Sequence, residues 1–440
     1  MYLQVQKTSL LEGQVLPPSS KSQSIRGLLL ALLSEGESVL MNPLDSDDMQ
    51  DAMNVCKQLG ANITVCKDRL IIKSSGLPIK TDAQKIYTGN SGITTLIVMP
   101  LLGLRQDTDR SIILDCGEQM RARPIQSLVN SLRALGLKVQ YLDKQGTLPV
   151  SISGQLKGGS TEVEGITSQY LSALLISLPC APLNSEITVK NLHERPYMEM
   201  TLNWLKEQGI HYKHAIMEDR DVYYIQGNQR YKSFNAVIAG DFSSASYLIA
   251  AAVMTKGSTE LSGLDMQDPQ GDKRLVYILQ EMGANIVITP QGLSIHGGGD
   301  LKGLKIDAND IPDLLPILAV IGTYAHGKTE ITRVQHARIK ETDRIHSMTE
   351  GLMRLGAKVE EYPDGMTVYQ SHLQGTQVKG YDDHRTVMAL AVAGMLAEGT
   401  TRIDDSTAIN KTFPRFVHLM HSLGAKMEVL NETDASHEKT

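Results

Sequence analysis

Four cysteines in 440 residues (Cys56, Cys66, Cys116 and Cys180) are few, and no two stand in a Cys-x-x-Cys spacing. Neither a disulfide frame nor a zinc ribbon can be built from them, so reduced thiols are expected. A surplus of basic charge is also missing. Lys and Arg number 43 against 49 Asp and Glu, for a net charge of −6. Nucleic-acid binding leaves a basic footprint, so no such partner is expected. Long apolar runs are absent too: the stretch 314–325 falls short of the roughly 18 residues a membrane span needs. The opening MYLQVQKTSLLEGQ lacks the apolar core of a signal peptide. Membrane, secreted disulfide-rich and fibrous classes are thereby excluded, and the cytoplasm is the expected compartment. The GGG at 297–299 lacks the Lys-Ser/Thr of a phosphate loop, and there is no dinucleotide-type glycine string or metal-ligand spacing. No metal and no cofactor are expected.

What is present is a repeat. The pattern Leu-Gly-Ala followed by alternating apolar residues recurs, exactly or loosely, at Gly60, Gly136, Gly209, Gly283, Gly356 and Gly424, at spacings of 76, 73, 74, 73 and 68 residues. Each glycine closes a helical pattern and precedes a strand pattern, the place for a left-handed glycine after a helix. In phase with it, six segments start on small or polar residues and run into helices apolar nearly all round. They begin at Ser19, Gly89, Gly165, Gly240, Asp310 and Asp382. Helices of that kind must be buried, yet their first N–H groups still need partners. The chain therefore reads as six units, each with one buried and one amphipathic helix and several strands. Three units per domain gives two domains, 21–238 and 1–20 plus 239–440. The polar tail, 431–440, is expected to fray.

Cations collect at the helix starts. Lys21 and Arg26 flank the first buried helix. Arg123-Pro124, Arg195-Pro196, Lys340-Glu341-Thr342-Asp343-Arg344 and Lys411-Thr412-Phe413-Pro414 open amphipathic ones, and His384-Arg385 opens the last buried one. The helix dipole disfavours a cation there by up to about 1 kcal/mol. Repeated through one chain, the placement suggests that cations and dipoles share external anions. Arginine forks bind carboxylate and phosphate bidentately. Carboxylates among them, Asp313 and Glu341, then suit acid–base work.

The order of motifs resembles the 5-enolpyruvylshikimate-3-phosphate (EPSP) synthase family. The strings are SSKSQSIRGLLLALL, LDSDD, GNSGIT, GEQMRARP, TSQYLSALL, RPYMEMTL, GDFSSASYLIAAA, QGDKR, IPD, RIKETDR, DDHR and NKTFP, spread over almost the whole chain. The resemblance implies a two-domain inverted α/β barrel-like fold of six βαβαββ-type repeats, with the active site in the interdomain cleft. It implies transfer of the enolpyruvyl group of phosphoenolpyruvate to the 5-hydroxyl of shikimate 3-phosphate, by addition and elimination, on the pathway to aromatic amino acids. It also implies roles. Lys21, Arg123, Arg344, Arg385 and Lys411 would hold phosphoenolpyruvate, with Gly92 lining its pocket. Thr167 and Ser168 would take the acceptor's phosphate, with Gln169 and Tyr197 against its ring. Ser22 and Arg26 would meet its carboxylate, and Asp313 and Lys340 its hydroxyls. Asp313 would act as base and Glu341 as acid, with Lys21 and His384 assisting. The chain is expected to act as a monomer.

Three positions depart from the family pattern. Leu96 stands for an arginine, Glu194 for a serine that helps hold the sugar phosphate, and His336 for an asparagine near the 5-hydroxyl. They bear on the acceptor rather than on the donor. The alternatives are a paralogous enolpyruvyl transferase with another acceptor, such as UDP-N-acetylglucosamine, and a silent repeat scaffold. The Lys21-Ser22 pair, where the nucleotide-sugar enzyme has Lys-Asn, favours the shikimate acceptor.

Overall fold

The computed structural model describes residues 1–431; of the tail expected to fray, 431–440, all but Asn431 lies outside the described residues. The chain divides into two compact units, residues 21–238 and residues 1–20 with 239–440.

In the unit 21–238 the helices are α1 (Lys21–Leu33), α2 (Asp47–Gln58), α3 (Gly92–Leu101), α4 (Glu118–Arg121), α5 (Gln126–Ala134), α6 (Ser168–Ser177) and α7 (Arg195–Glu207). Because α1, α3 and α6 are apolar round their circumference, no face can be left in water. Leu28, Ile97 and Leu174 are accordingly fully buried in one core. The outer helices bury a single stripe, as Leu128, Val129 and Leu132 do on α5.

Each repeat contributes to a four-stranded sheet with one parallel pair and two antiparallel ones. Asn235–Val237 runs parallel to Glu35–Met41, which pairs antiparallel with Arg69–Ser75, itself antiparallel to Asn62–Val65. The register sets Leu40 opposite Leu70, and Leu70 and Ile72 turn the same face inward. The strand that closes this sheet comes from the far end of the unit, so three repeats form a closed set.

The second unit follows the same plan, with α8 (Phe242–Met254), α9 (Arg274–Met282), α10 (Leu315–Tyr324), α11 (Arg344–Arg354), α12 (His384–Leu396) and α13 (Phe416–Ser422). Here α8, α10 and α12 are the buried helices. The first residues of the chain belong to this unit because two of its sheets need them. Tyr2–Gln6 lies between Thr400–Ile403 and Met427–Leu430, and Gly13–Val15 runs parallel to Gly257–Ser262. Among the described residues the six sheets share one strand pattern.

All six repeat glycines have positive φ, from 68° at Gly209 to 109° at Gly283. At Gly136 the need is double: a Cβ would also lie 2.7 Å from the Gln155 carbonyl oxygen. Two helix starts differ from expectation. α5 begins at Gln126 and α13 at Phe416, so Pro124 and Pro414 precede the helices instead of occupying their first turn. Local turns intervene: the short α4 ahead of one, and a 3-10 segment at Ser406–Lys411 ahead of the other. Arg26 lies inside α1 rather than at its flank.

Candidate active site

Within the unit 21–238, contacts link the start of α1 to that of α2, and the start of α3 to that of α6. Lys21, the first residue of α1, forms a 2.8 Å ion pair with Asp48 in the first turn of α2. A little further along α2, burial and the charges of Asp48 and Asp47 push the Asp51 carboxyl up to about 6. At the start of α3, a Cβ on Gly92 would lie 2.7 Å from Arg123 Nη1 and 3.1 Å from Gln169 Oε1. The bare glycine therefore lets an arginine and an amide converge over a helix N-terminus, where N–H groups and dipole favour an anion. The Asn90 side chain packs against Gly117 and accepts the Met120 N–H at 3.4 Å.

Arg26, expected at the acceptor's carboxylate, is only 1% exposed. Its Nε donates to Thr201 Oγ1 (2.8 Å), Nη1 to the Ser22 carbonyl (3.1 Å), and Nη2 to Ser172 Oγ (3.2 Å) and the Tyr197 carbonyl (3.1 Å). The guanidinium thus ties α1 to α6 and α7. Burial lowers it to about 10, against the raising influence of Tyr197 and Glu194. Thr167 caps α6 by accepting the Gln169 N–H at 3.4 Å. Glu194 is buried at the start of α7, and its Oε2 accepts both the Ser168 N–H (3.0 Å) and the Ser168 hydroxyl (2.8 Å). Leu96 lies buried along α3.

The second unit carries a denser cluster. Arg344 is buried and donates from Nε to Asp383 (2.9 Å), from Nη1 to Asp313 (2.7 Å) and from Nη2 to Glu341 (2.5 Å). The other oxygen of Asp313 accepts from Arg385 Nη2 at 2.7 Å. Asp383 also caps α12, accepting the N–H groups of Arg385 (2.7 Å) and Thr386 (3.2 Å). His384 is buried in the first turn of α12, and His336 is buried in a 3-10 turn ahead of Lys340. Lys411 donates to the Asp382 carbonyl at 2.7 Å and pairs with its carboxylate at 3.0 Å.

These neighbours set the charge states. Burial alone would raise the Asp313 carboxyl, but Arg385, Arg344 and Lys340 override it and hold it well below the usual carboxylate range. Burial would lower Arg344; Asp383, Glu341 and Asp313 instead raise it. Asp272, which accepts a hydrogen bond from Ser243, goes the other way: burial and the nearby Asp313 charge push it up to about 7. One carboxyl of the neighbourhood is thus locked as an anion, while another holds a proton near neutrality. With Asp313 ion-paired to two arginines, its basicity is suppressed in this state.

The four cysteines are free thiols. Burial pushes Cys116 up to about 12, with Asp115 adding to the rise, which fits an inert side chain. Among the described residues no group of three or more His, Cys, Asp or Glu side chains is disposed to hold a metal ion. No described helix is long and apolar enough to cross a membrane. Sequence reasoning passed over Asp48, Asn90, Asp272 and Asp383. Asp383 carried a signal, as an acidic residue directly before a buried helix; Asp272 carried no local one, because Ser243, which donates to it, lies 29 residues away and the Asp313 charge beside it belongs to another repeat.

The fold and these clusters define a class: a repeat-built α/β enzyme whose arginines and lysines surround helix starts and whose carboxylates are tuned by them. The family matching residues 5–420 is EPSP synthase (3-phosphoshikimate 1-carboxyvinyltransferase). A 3-phosphoshikimate 1-carboxyvinyltransferase of Acetivibrio thermocellus is 43% identical over 427 residues, covering 97% of this chain and 99% of the relative. One of Methanocaldococcus jannaschii is 38% identical, covering 98% and 100%. Among solved structures, EPSP synthase from Acinetobacter baumannii superposes with a TM-score of 0.82 at 23% identity, covering 98% of this chain and 100% of that one. The enolpyruvyl transferase NikO of Streptomyces tendae reaches 0.79 at 15% identity, covering 97% and 98%. The chain belongs to the EPSP synthase family. It is thereby a transferase of the shikimate pathway, and the nucleotide-sugar alternative is not favoured.

Proposed function

We propose that the chain transfers the enolpyruvyl group of phosphoenolpyruvate to the 5-hydroxyl of shikimate 3-phosphate, and that the residues gathered in its two units act on that one pair of substrates. The observation that carries this is Asp313 held between Arg344 and Arg385, with Glu341 on the same Arg344. A substrate bearing a carboxylate and a phosphate competes with Asp313 for those forks. As it takes them over, Asp313 loses the cations that suppress it, and its basicity rises where the acceptor hydroxyl must lose a proton. Donor binding and base activation are then one event.

In the addition, the hydroxyl oxygen bonds to C2 of phosphoenolpyruvate, Asp313 takes the hydroxyl proton, and Glu341 gives a proton to the methylene carbon. In the elimination, the C2–O bond to phosphate breaks and the methyl group returns a proton. Lys21, Arg123, Arg344, Arg385 and Lys411 stabilise the charge on carboxylate and leaving phosphate, with Gly92 lining the donor pocket and Lys21 and His384 assisting proton movement. Ser22, Thr167, Ser168, Gln169, Tyr197 and Lys340 position the acceptor, and Arg26 fixes Ser22 and Tyr197 from behind. Convergence of Arg123 and Gln169 over Gly92 supports this division. The same reading has the chain acting as a cytoplasmic monomer, which light scattering on a sizing column checks.

The test is a set of alanine variants drawn from both units. Lys21→Ala and Arg123→Ala in one, and Arg385→Ala and Lys411→Ala in the other, each lower kcat/KM for phosphate release by about 100-fold or more, since each removes a charge-assisted contact. Near wild-type turnover in both variants of either unit contradicts a shared substrate pair.

A further inference from the structure

Glu194 is the residue whose position the reaction does not explain. It is buried, and its backbone takes a left-handed conformation (φ 58°, ψ 39°) that non-glycine residues seldom adopt. It stands at the N-cap of α7 yet makes no side-chain capping bond to that helix. Its carboxylate instead reaches across to α6 and accepts the N–H and the hydroxyl of Ser168, at 3.0 and 2.8 Å. Its charge also bears on Arg26, which it raises. A carboxylate with two donors at a helix start is what a bound anion would look like there, and unusual backbone geometry of this kind tends to collect at functional positions.

We propose that Glu194 is a specificity-determining residue for the acceptor: a resident anion that holds the start of α6 until the acceptor's phosphate displaces it. The inference rests on the reading that this phosphate seats at Thr167 and Ser168. One N–H and one hydroxyl cannot serve two anions at once. Free inorganic phosphate, the product, brings no other anchor and loses to Glu194. The acceptor is also held through its carboxylate, ring and hydroxyls, and those contacts drive the exchange. Glu194 thus weakens acceptor binding somewhat and excludes bare phosphate from the acceptor's seat.

Steady-state kinetics on full-length Glu194→Ser, Glu194→Gln and Ser168→Ala test this, with melting curves to verify folding. Glu194→Ser is expected to lower KM for shikimate 3-phosphate by about 10-fold. With phosphoenolpyruvate saturating, inorganic phosphate should then compete with shikimate 3-phosphate at a concentration lower by a similar factor. Glu194→Gln keeps an oxygen on Ser168 without the charge and falls between; it decides the matter if the serine variant does not fold. An unchanged or raised KM in the folded Glu194 variants, with phosphate inhibition unaltered, overturns the inference. If in that case Ser168→Ala still raises KM, the phosphate seat survives and only the role of Glu194 fails. If Ser168→Ala leaves KM unchanged, the seat lies elsewhere and both fall.

Discussion

At the residue scale, the guanidinium of Arg344 decides most. It pairs with Asp383, which is fully buried, and with two further carboxylates. Removing one partner from a buried ion network leaves uncompensated charge, at a cost of about 3–5 kcal/mol. Arg344→Ala is expected to lose that much in urea unfolding as well as its turnover; a loss under about 1 kcal/mol would contradict the network's weight. Gly92 makes a subtler case. Alanine there puts a Cβ 2.7 Å from Arg123 Nη1, so the guanidinium must move. The expected result is a KM for phosphoenolpyruvate raised about 10-fold, a loss of roughly 1.4 kcal/mol in binding, with a smaller change in kcat. Asp272 gives a pH signature. Its folded value is raised to about 7 from an ordinary 3.8. Between those values the folded state keeps a proton that the unfolded state releases, so its contribution to stability falls as pH rises and the penalty is complete above about 7. Asn cannot ionise. The Tm of Asp272→Asn relative to wild type should therefore improve from pH 5 to pH 8, by about 3 °C or more. Asp313, with its lowered value, stays ionised across that window. A gap that does not change with pH would show that Asp272 is ionised throughout.

At the element scale, burial of whole helices makes their caps matter. All of α8 is buried, and Asp241 caps it through the Ser244 N–H at 3.1 Å and the Ser244 hydroxyl at 2.6 Å. Asp241→Ala should cost about 1–2 kcal/mol, measured by urea unfolding, and more than a cap on an exposed helix, because no water replaces the lost acceptor. Helix type and helix ends were legible in the sequence because their causes are local. Gly136 or Gly283 after an apolar run needs only its own φ, and an all-apolar helix can only be buried. The helix starts at Pro124 and Pro414 were misplaced because each proline lies in the turn that follows a short helix or a 3-10 segment, and neither of these has a periodic signal. Strand pairing was not legible at all: that Asn235–Val237 completes the sheet begun by Glu35–Met41 depends on closure of three repeats, which no local window contains.

At the scale of the whole molecule, the repeat explains why candidate site residues could be named from the sequence. Each repeat delivers one buried helix start, and residues such as Lys21, Gly92, Ser168 and Arg385 sit at those starts. What escaped was how the groups pair. Arg26 was expected at the acceptor's carboxylate and is an internal tie. Asp313 was read as a ready base and is clamped by two arginines. Glu194 was read as an anion out of place and accepts two hydrogen bonds from Ser168 at the start of α6. These pairings were hidden for one reason: each joins positions far apart in the sequence, 31 residues for Arg344 and Asp313 and 26 for Glu194 and Ser168. The account as a whole is tested most directly by phosphate release when the purified chain meets phosphoenolpyruvate with shikimate 3-phosphate, set beside the same mixture with UDP-N-acetylglucosamine. It predicts release with the first acceptor and none with the second. Release with the nucleotide sugar, or with neither from folded protein, would contradict it.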